Sequence, residues 1–171
     1  MITHRLPESA DLPAIIELIS HARAAMARLG IDQWQDGYPE PEILAADIAQ
    51  GIGLVFEVDV RLSGYMVKLT DPEPIYDQLD GAWLVKGKPY LTVHRMAIGD
   101  GYRGTGLSMQ MFAHAEKLAH EKHLISVRAD THTGNIAMRK LLQKCGFSYV
   151  GDVRYPVTAG DPIRVAYEKI L

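Results

Sequence analysis

Apolar residues recur at helical spacing in four stretches and follow strand-like runs in between. After Asp11-Leu12-Pro13, a cap with proline in the first turn, Ile15, Leu18, Ile19, Ala22, Met26 and Leu29 fall on one face up to Gly30, which predicts a first helix. A polar, aromatic loop follows, Asp32-Gln33-Trp34-Gln35-Asp36-Gly37-Tyr38-Pro39, and then Pro41 opens a short helix with Ile43, Leu44 and Ile48, closed by Gly51. Leu54 to Val58 and Leu62 to Leu69 read as strands joined by a tight connection at Asp59-Val60-Arg61. Asp71-Pro72-Glu73-Pro74 breaks that pattern and begins a long connection containing Tyr76 and Trp83. Tyr90 to Ile98 is the next strand, and a glycine-rich turn leads into a helix with Leu107, Met111, Ala115 and Leu118 on one face. Leu124 to Ala129 is a strand, Asn135 starts a helix striped by Met138, Leu141, Leu142 and Cys145, and Phe147 to Val153 and Ile163 to Ile170 finish as strands. No repeat, low-complexity tract or linker interrupts the pattern. It predicts one α/β domain over residues 1–171, a mixed central sheet flanked by helices.

Composition narrows the classes of function. The chain has 171 residues, 47% hydrophobic and 23% charged, in the range of an ordinary globular domain rather than a disordered or fibrous chain. Its formal net charge is -3, with 18 Lys and Arg against 21 Asp and Glu. A protein that neutralises many phosphates shows a basic surplus, so no nucleic-acid partner is expected. The single cysteine, Cys145, lies on a predicted buried stripe and forms neither an internal disulfide nor a thiolate metal cluster. His120 and His123 near a helix end suit the helix dipole better than a metal, and no metal is expected. No apolar run approaches the ~20 residues that span a bilayer, and the first residues lack the apolar core of a signal peptide. No membrane partner is expected, and the expected compartment is the cytoplasm.

The chemistry concentrates at Met96-Ala97-Ile98-Gly99-Asp100-Gly101-Tyr102-Arg103-Gly104-Thr105-Gly106-Leu107-Ser108. A strand runs into glycines that open a helix, so the amides of Arg103 to Ser108 can converge on an anion, aided by the positive end of the helix dipole. A pyrophosphate is the natural guest. No lysine follows the glycines as a P-loop requires, and a dinucleotide fingerprint would need a glycine at Met109.

Arg103-Gly104-Thr105-Gly106-Leu107-Ser108 resembles the R/Q-x-x-G-x-G/A signature of the GNAT superfamily of acyl-CoA-dependent N-acetyltransferases, with Ser108 where that signature has Gly or Ala. Asn135-Ile136-Ala137-Met138 through Cys145-Gly146-Phe147 is similar to the segment that follows it in the same superfamily, and Asn135 is the only asparagine in the chain. The N-terminal helix pair, the strand pair before the signature and the closing strand from Arg164 to Glu168 match in order, so the resemblance covers essentially the full length. It implies a GNAT-like fold in which the strand before the signature splays from its neighbour. It also implies acetyl-CoA as cosubstrate, held by Met96, Ala97, Ile98, Arg103, Gly104, Thr105, Gly106, Leu107, Ser108 and Asn135, and it leaves room for a homodimer.

Acetyl transfer to an amine requires loss of an ammonium proton, donors for the oxyanion and departure of a thiolate. An ammonium with pKa near ~10.4 is neutral in only about one molecule in several thousand at pH 7, so a positioned base has much to contribute. His94 is the leading base: period-two alternation puts residues 94, 96 and 98 on one strand face, and arylalkylamine N-acetyltransferases of the superfamily carry histidine at a similar position. Glu57 and Asp130 are the alternatives, and a capping or bracing role for Asp130 stays open. The tyrosine that the resemblance predicts as general acid is replaced by Leu142, with Tyr149 and Tyr155 as substitutes that spacing does not separate. Trp34, Tyr38, Tyr65, Tyr76 and Trp83 are candidate walls of an acceptor pocket, and Arg139, Lys140 and Lys144 could meet a CoA phosphate. The function expected is direct transfer of an acetyl group from acetyl-CoA to a primary amine of a small molecule in a ternary complex. Acetylation of a protein N-terminus or lysine, and a catalytically silent CoA-binding or sensing domain, are the alternatives.

Overall fold

The computed structural model describes residues 1–157 and 159–171. Eight strands, β1 (Ile2–Arg5), β2 (Gly53–Val58), β3 (Arg61–Leu69), β4 (Asp80–Gly81), β5 (Tyr90–Ile98), β6 (Ser126–His132), β7 (Ser148–Arg154) and β8 (Ile163–Ile170), form one sheet in the order β1-β2-β3-β5-β6-β8-β7-β4. Only β5 and β6 run parallel; the other neighbours are antiparallel. The α-helices are α1 (Leu12–Arg28), α2 (Pro41–Ala49), α3 (Leu107–Glu121) and α4 (Ile136–Lys144). The edge strands β1 and β4 are too short to show a period in the sequence. Asp11 does not cap α1 through its side chain; its carboxylate accepts from the Glu8 amide at 2.7 Å and pairs with Arg5.

Alternation along the strands builds two apolar surfaces. On one, Leu91, Val93, Val127, Ala129, Val165 and Tyr167 pack against Leu107, Met111, Phe112 and Ala115 of α3 and Leu142 of α4. On the other, Val55, Tyr65, Val67 and Ala97 pack against Ile15, Leu18 and Ile19 of α1 and Leu44 of α2. The helices bury most of the stripes that their periodicity marks out, but Leu29, past the end of α1, is 71% exposed, and of the α4 stripe Leu142 is fully buried while Met138, Leu141 and Cys145 are partly so.

Two irregularities position the site. β5 and β6 pair only from Tyr90–Ser126 to Val93–Ala129; beyond that point β5 follows β3 to Ile98, while β6 follows β8 to His132. The strands part, and among the described residues the edge of β5 toward β6 has no ladder partner from His94 onward. In the same stretch β5 carries a bulge: the register against β3 steps from Val67–His94 to Tyr65–Ala97, so Arg95 and Met96 together oppose Met66. Arg95 has a φ of 50°.

The extra residue resets the alternation. Met96 and Ile98 join Leu91 and Val93 on the α3 side, whereas Ala97 packs under α1 and α2 and Arg95 reaches Asp47 of α2. His94 pairs with Val67 of that same side. The expectation that residues 94, 96 and 98 share one face is therefore corrected: a period of two holds only along an unbulged strand.

A left-handed backbone at a non-glycine residue is uncommon and persists where its surroundings over-determine it. Asp47, 3% exposed, supplies that constraint. It accepts from Arg95 Nε at 2.9 Å and Nη2 at 2.8 Å and from the Tyr65 hydroxyl at 3.0 Å, while Arg95 Nη1 reaches the Tyr38 hydroxyl. Burial first, and then the negative charge of Asp47, push the Tyr65 hydroxyl well above its ordinary pKa, so it remains a donor. Removing Asp47 strands a mostly buried guanidinium, and Asp47→Ala should cost about 3–5 kcal/mol of unfolding free energy. Tyr65→Phe deletes one of three donors and should cost about 1 kcal/mol. Urea denaturation of both variants checks the ratio.

Candidate active site

The glycine turn follows from backbone conformation. Gly104 and Gly106 have φ of 77° and 89°, a region where a side chain is strained. A Cβ at either position would meet no atom within 4 Å, so conformation rather than crowding requires glycine there. Gly106 is the N-cap residue of α3, which brings the uncapped amides of that helix to the edge of a cavity of about 760 Å³. Arg103, Gly104 and Ser108 line this cavity, as do Met96, Ala97 and Ile98 of the parted strand and Asn135. Thr105 turns its hydroxyl to the Tyr102 carbonyl, and Leu107 is a core residue under α3, so any contact from these two is through backbone. Asn135 is the N-cap of α4: its Oδ1 accepts from the Met138 amide at 3.1 Å, which leaves its amide nitrogen for a ligand.

The cavity crosses the sheet. Phe112, Met138 and Leu141 bound it on the α3–α4 side, and Met26, Trp34, Tyr38, His94 and Glu73 bound it on the α1–α2 side. The parting of β5 from β6 makes this passage, since a continuous ladder would close it.

On the α1–α2 side, His94 Nε2 lies 3.0 Å from Glu73 Oε2. A carboxylate only accepts, so Nε2 carries the hydrogen and Nδ1 holds the lone pair of the neutral ring. Nδ1 stands 4.0 Å from Asp130 Oδ2, which accepts from the hydroxyls of Tyr76 at 2.8 Å and Tyr155 at 2.9 Å. The hydrogen bond from His94 holds the Glu73 carboxyl below its usual pKa. Burial, reinforced by the charge of Asp130, raises both tyrosines, so their hydroxyls stay protonated. An orienting carboxylate, an imidazole and a second carboxylate thus share one wall, an arrangement suited to taking and holding a proton.

Several expected site residues lie elsewhere. Glu57 pairs with Arg5 at 2.9 Å on the β1–β2 edge and does not line the cavity. Tyr65 is fully buried as the partner of Asp47 rather than a wall. Trp83 stacks on Arg128 at 3.9 Å, with Tyr90 at 3.7 Å from the same guanidinium, and lines a separate cleft beyond β4. Trp34 and Tyr38 do line the cavity, and Tyr76 touches the site through Asp130. Of the two substitute tyrosines, Tyr155 lines the cavity, while Tyr149 is 54% exposed and bonds Asp152. Leu142 is fully buried. Arg139 is committed to the Tyr167 hydroxyl and the Thr133 carbonyl. Cys145 is half-buried outside the cavity, and burial pushes its thiol pKa up. Glu73 had no sequence signal beyond its place between two prolines. Among the described residues, no group of three or more His, Cys, Asp or Glu side chains is arranged to hold a metal ion, and no helix is long and apolar enough to cross a membrane.

Residues 17–147 match the acetyltransferase (GNAT) family. A GNAT-family acetyltransferase of Streptococcus agalactiae 2603 is 36% identical, with 99% of this chain and 95% of that chain covered and a TM-score of 0.87. A GNAT-family acetyltransferase of Listeria monocytogenes 4b F2365 shares the fold at 22% identity, covering 99% and 95% of the two chains with a TM-score of 0.75. So does the PaiA N-acetyltransferase of Thermoplasma acidophilum, solved in complex with coenzyme A, at 19% identity, 100% and 99% coverage and a TM-score of 0.70. No curated protein matches this chain. The family match spans most of α1, the other three helices, the parted strand and the glycine turn, and the chain belongs to the GNAT family of acetyltransferases.

Proposed function

We propose that the protein transfers an acetyl group from acetyl-CoA directly to the primary amine of a small molecule in a ternary complex. The observation that carries this reading is the passage through the opened sheet. It joins the glycine turn on one side to the His94–Glu73 pair on the other, so donor and acceptor can approach each other from opposite faces. The coenzyme A complex of the Thermoplasma neighbour supports the choice of donor.

The residues present fit that donor. Gly104, Gly106 and the amides opening α3 suit its pyrophosphate, Asn135 offers a free amide nitrogen, and the unpaired edge of β5 around Met96, Ala97 and Ile98 suits the amide-bearing arm. Acetyl-CoA supplies an activated acyl carbonyl. His94 Nδ1 takes the proton of the bound ammonium, Glu73 keeps the ring oriented, and Asp130 stabilises the imidazolium. Amides on the open edge of β5 donate to the acyl oxygen. A thiol with pKa near ~8.5 leaves tolerably as thiolate, so Leu142 in place of a tyrosine slows the step without abolishing it. Cys145, outside the cavity with a raised pKa, is no acyl carrier, which favours direct transfer. The cavity must also hold the donor's arm, and its remaining space suits a small acceptor.

Acetyl-CoA should raise Tm in proportion to the logarithm of its concentration above Kd. Ser108→Phe adds bulk at the cavity wall without straining a glycine position, and should abolish that shift while leaving the Tm of the free protein within a few degrees. Thermal melts with and without ligand check both.

His94→Gln cannot accept the proton and should lower kcat/KM by about 10² or more near neutral pH, a deficit that shrinks at high pH as the amine deprotonates unaided. Glu73→Gln keeps the base but loses its orienting charge, and should fall between the two. Thioester consumption across a library of amines, followed by pH profiles on the best acceptor, is the test. A wild-type profile in His94→Gln removes that residue from the chemistry.

A further inference from the structure

Arg23, Arg95, Arg128 and Arg164 are largely withdrawn from water; Arg95 and Arg128 pair with carboxylates, and Arg23 reaches the carbonyl oxygens of Gly37, Tyr38 and Pro39. Arg95 is held by both oxygens of Asp47, and Arg128 by Glu168 at 2.9 Å. Arg164 on β8, 7% exposed, is different. Its described partners are the carbonyl oxygens of Asp161 at 2.6 Å and Ile163 at 2.9 Å, both reached by Nη1. The carboxylates of the same loop cluster face other groups: Asp32 Oδ2 accepts the Asp161 amide at 2.7 Å, Asp32 Oδ1 stands 2.8 Å from His132 Nε2 without hydrogen-bond geometry, and Asp161 Oδ1 accepts the Ile163 amide at 2.8 Å. Nε and Nη2 of Arg164 have no partner among the described residues, and the side chain lines the through-sheet cavity.

A guanidinium does not shed its proton, and one that faces a cavity with no carboxylate paired to it among the described residues favours an anion there. The location is on the acceptor side. The Arg164 guanidinium carbon is 6.0 Å from the Tyr155 ring centre, and the hydroxyl of that tyrosine reaches Asp130 beside His94. The pocket is thus dipolar, with Glu73 and Asp130 at the end that suits an ammonium and a guanidinium across Tyr155 from them. Nε and Nη2 form the planar fork that matches the two oxygens of a carboxylate.

We propose that Arg164 binds a carboxylate of the acceptor, so that the substrate class is a molecule bearing both a primary amine and a carboxylate. This rests on the amine-acceptor reading above, and the experiment separates the two.

Two series are compared, ω-amino acids from β-alanine to 6-aminohexanoate and short unblocked dipeptides, each against its carboxamide. The free amines are assayed for thioester consumption, and their N-acetyl forms are titrated calorimetrically into CoA-saturated protein. The wild type should favour the acids over the amides by about 10- to 100-fold in both readouts. Arg164→Gln should erase that preference, Arg164→Lys should keep part of it, and the Tm shift with acetyl-CoA should be unchanged in both. If Arg164→Gln does not fold, Arg164→Lys and protection of wild-type Arg164 from phenylglyoxal by the N-acetyl acids, read by peptide mass, decide the matter. Equal handling of acids and amides by the wild type, or a preference that survives Arg164→Gln, overturns the proposal. Aminoalkyl phosphates binding more tightly than every carboxylate overturns the choice of anion. Carboxylate-selective, Arg164-dependent binding with no acetyl transfer to any amine would support Arg164 and contradict the catalytic reading; transfer without selectivity would do the reverse.

Discussion

The ion pair between Asp47 and Arg95 is the constraint from which the site follows. It reaches from α2 into β5 at the residue where the strand takes an extra member and a left-handed turn of backbone. Without that extra residue His94 and Met96 would point to the same side of the sheet. With it, the His94 imidazole lies on the α1–α2 side and the apolar side chains of Met96 and Ile98 lie against α3. The same stretch has lost β6 as a neighbour, so a bulge that would disrupt a ladder instead borders an opening. Tyr38 joins the pair through Arg95 and also lines the cavity, which ties the loop before α2 to the geometry of the strand.

Much of this was legible in the chain. Helix stripes, the strand from Tyr90 to Ile98 and the glycine turn are local patterns, and local patterns survive folding because each is satisfied within one element. Relationships between elements were less accessible. The bulge at Arg95 is set by Asp47, 48 residues away in sequence, and no count of alternating residues detects it. Glu57 and Glu73 are both acidic residues near strand ends; only the fold decides that one braces an outer edge with Arg5 while the other meets His94. Aromatic residues misled for a related reason. Trp34 and Trp83 both sit in long connections, yet one lines the cavity and the other covers Arg128, and burial of a large ring is favourable in either place. Asn135 proved to be cap and cavity wall together, since capping uses only its oxygen.

Charge is distributed with the same economy. Three acidic groups at or near the cavity have side-chain donors: Asp47 has Arg95 and Tyr65, Asp130 has Tyr76 and Tyr155, Glu73 has His94. Carboxylates supplied with donors hold shape and field without claiming a substrate proton for themselves. In the proposed reading the Nδ1 of His94 is the basic atom and the fork of Arg164 the anion-binding one, at different ends of one pocket.

A crystal structure of the protein with CoA tests the central claim most directly. The arm should run along Met96 to Ile98 on the α3 side, the pyrophosphate should lie at the amides of residues 104–108, and the sulfur should reach the point where β5 leaves β6, with His94 across the opening. An arm on the His94 side of the sheet, or CoA held in the cleft beside Trp83, would contradict a transfer that takes place through the sheet.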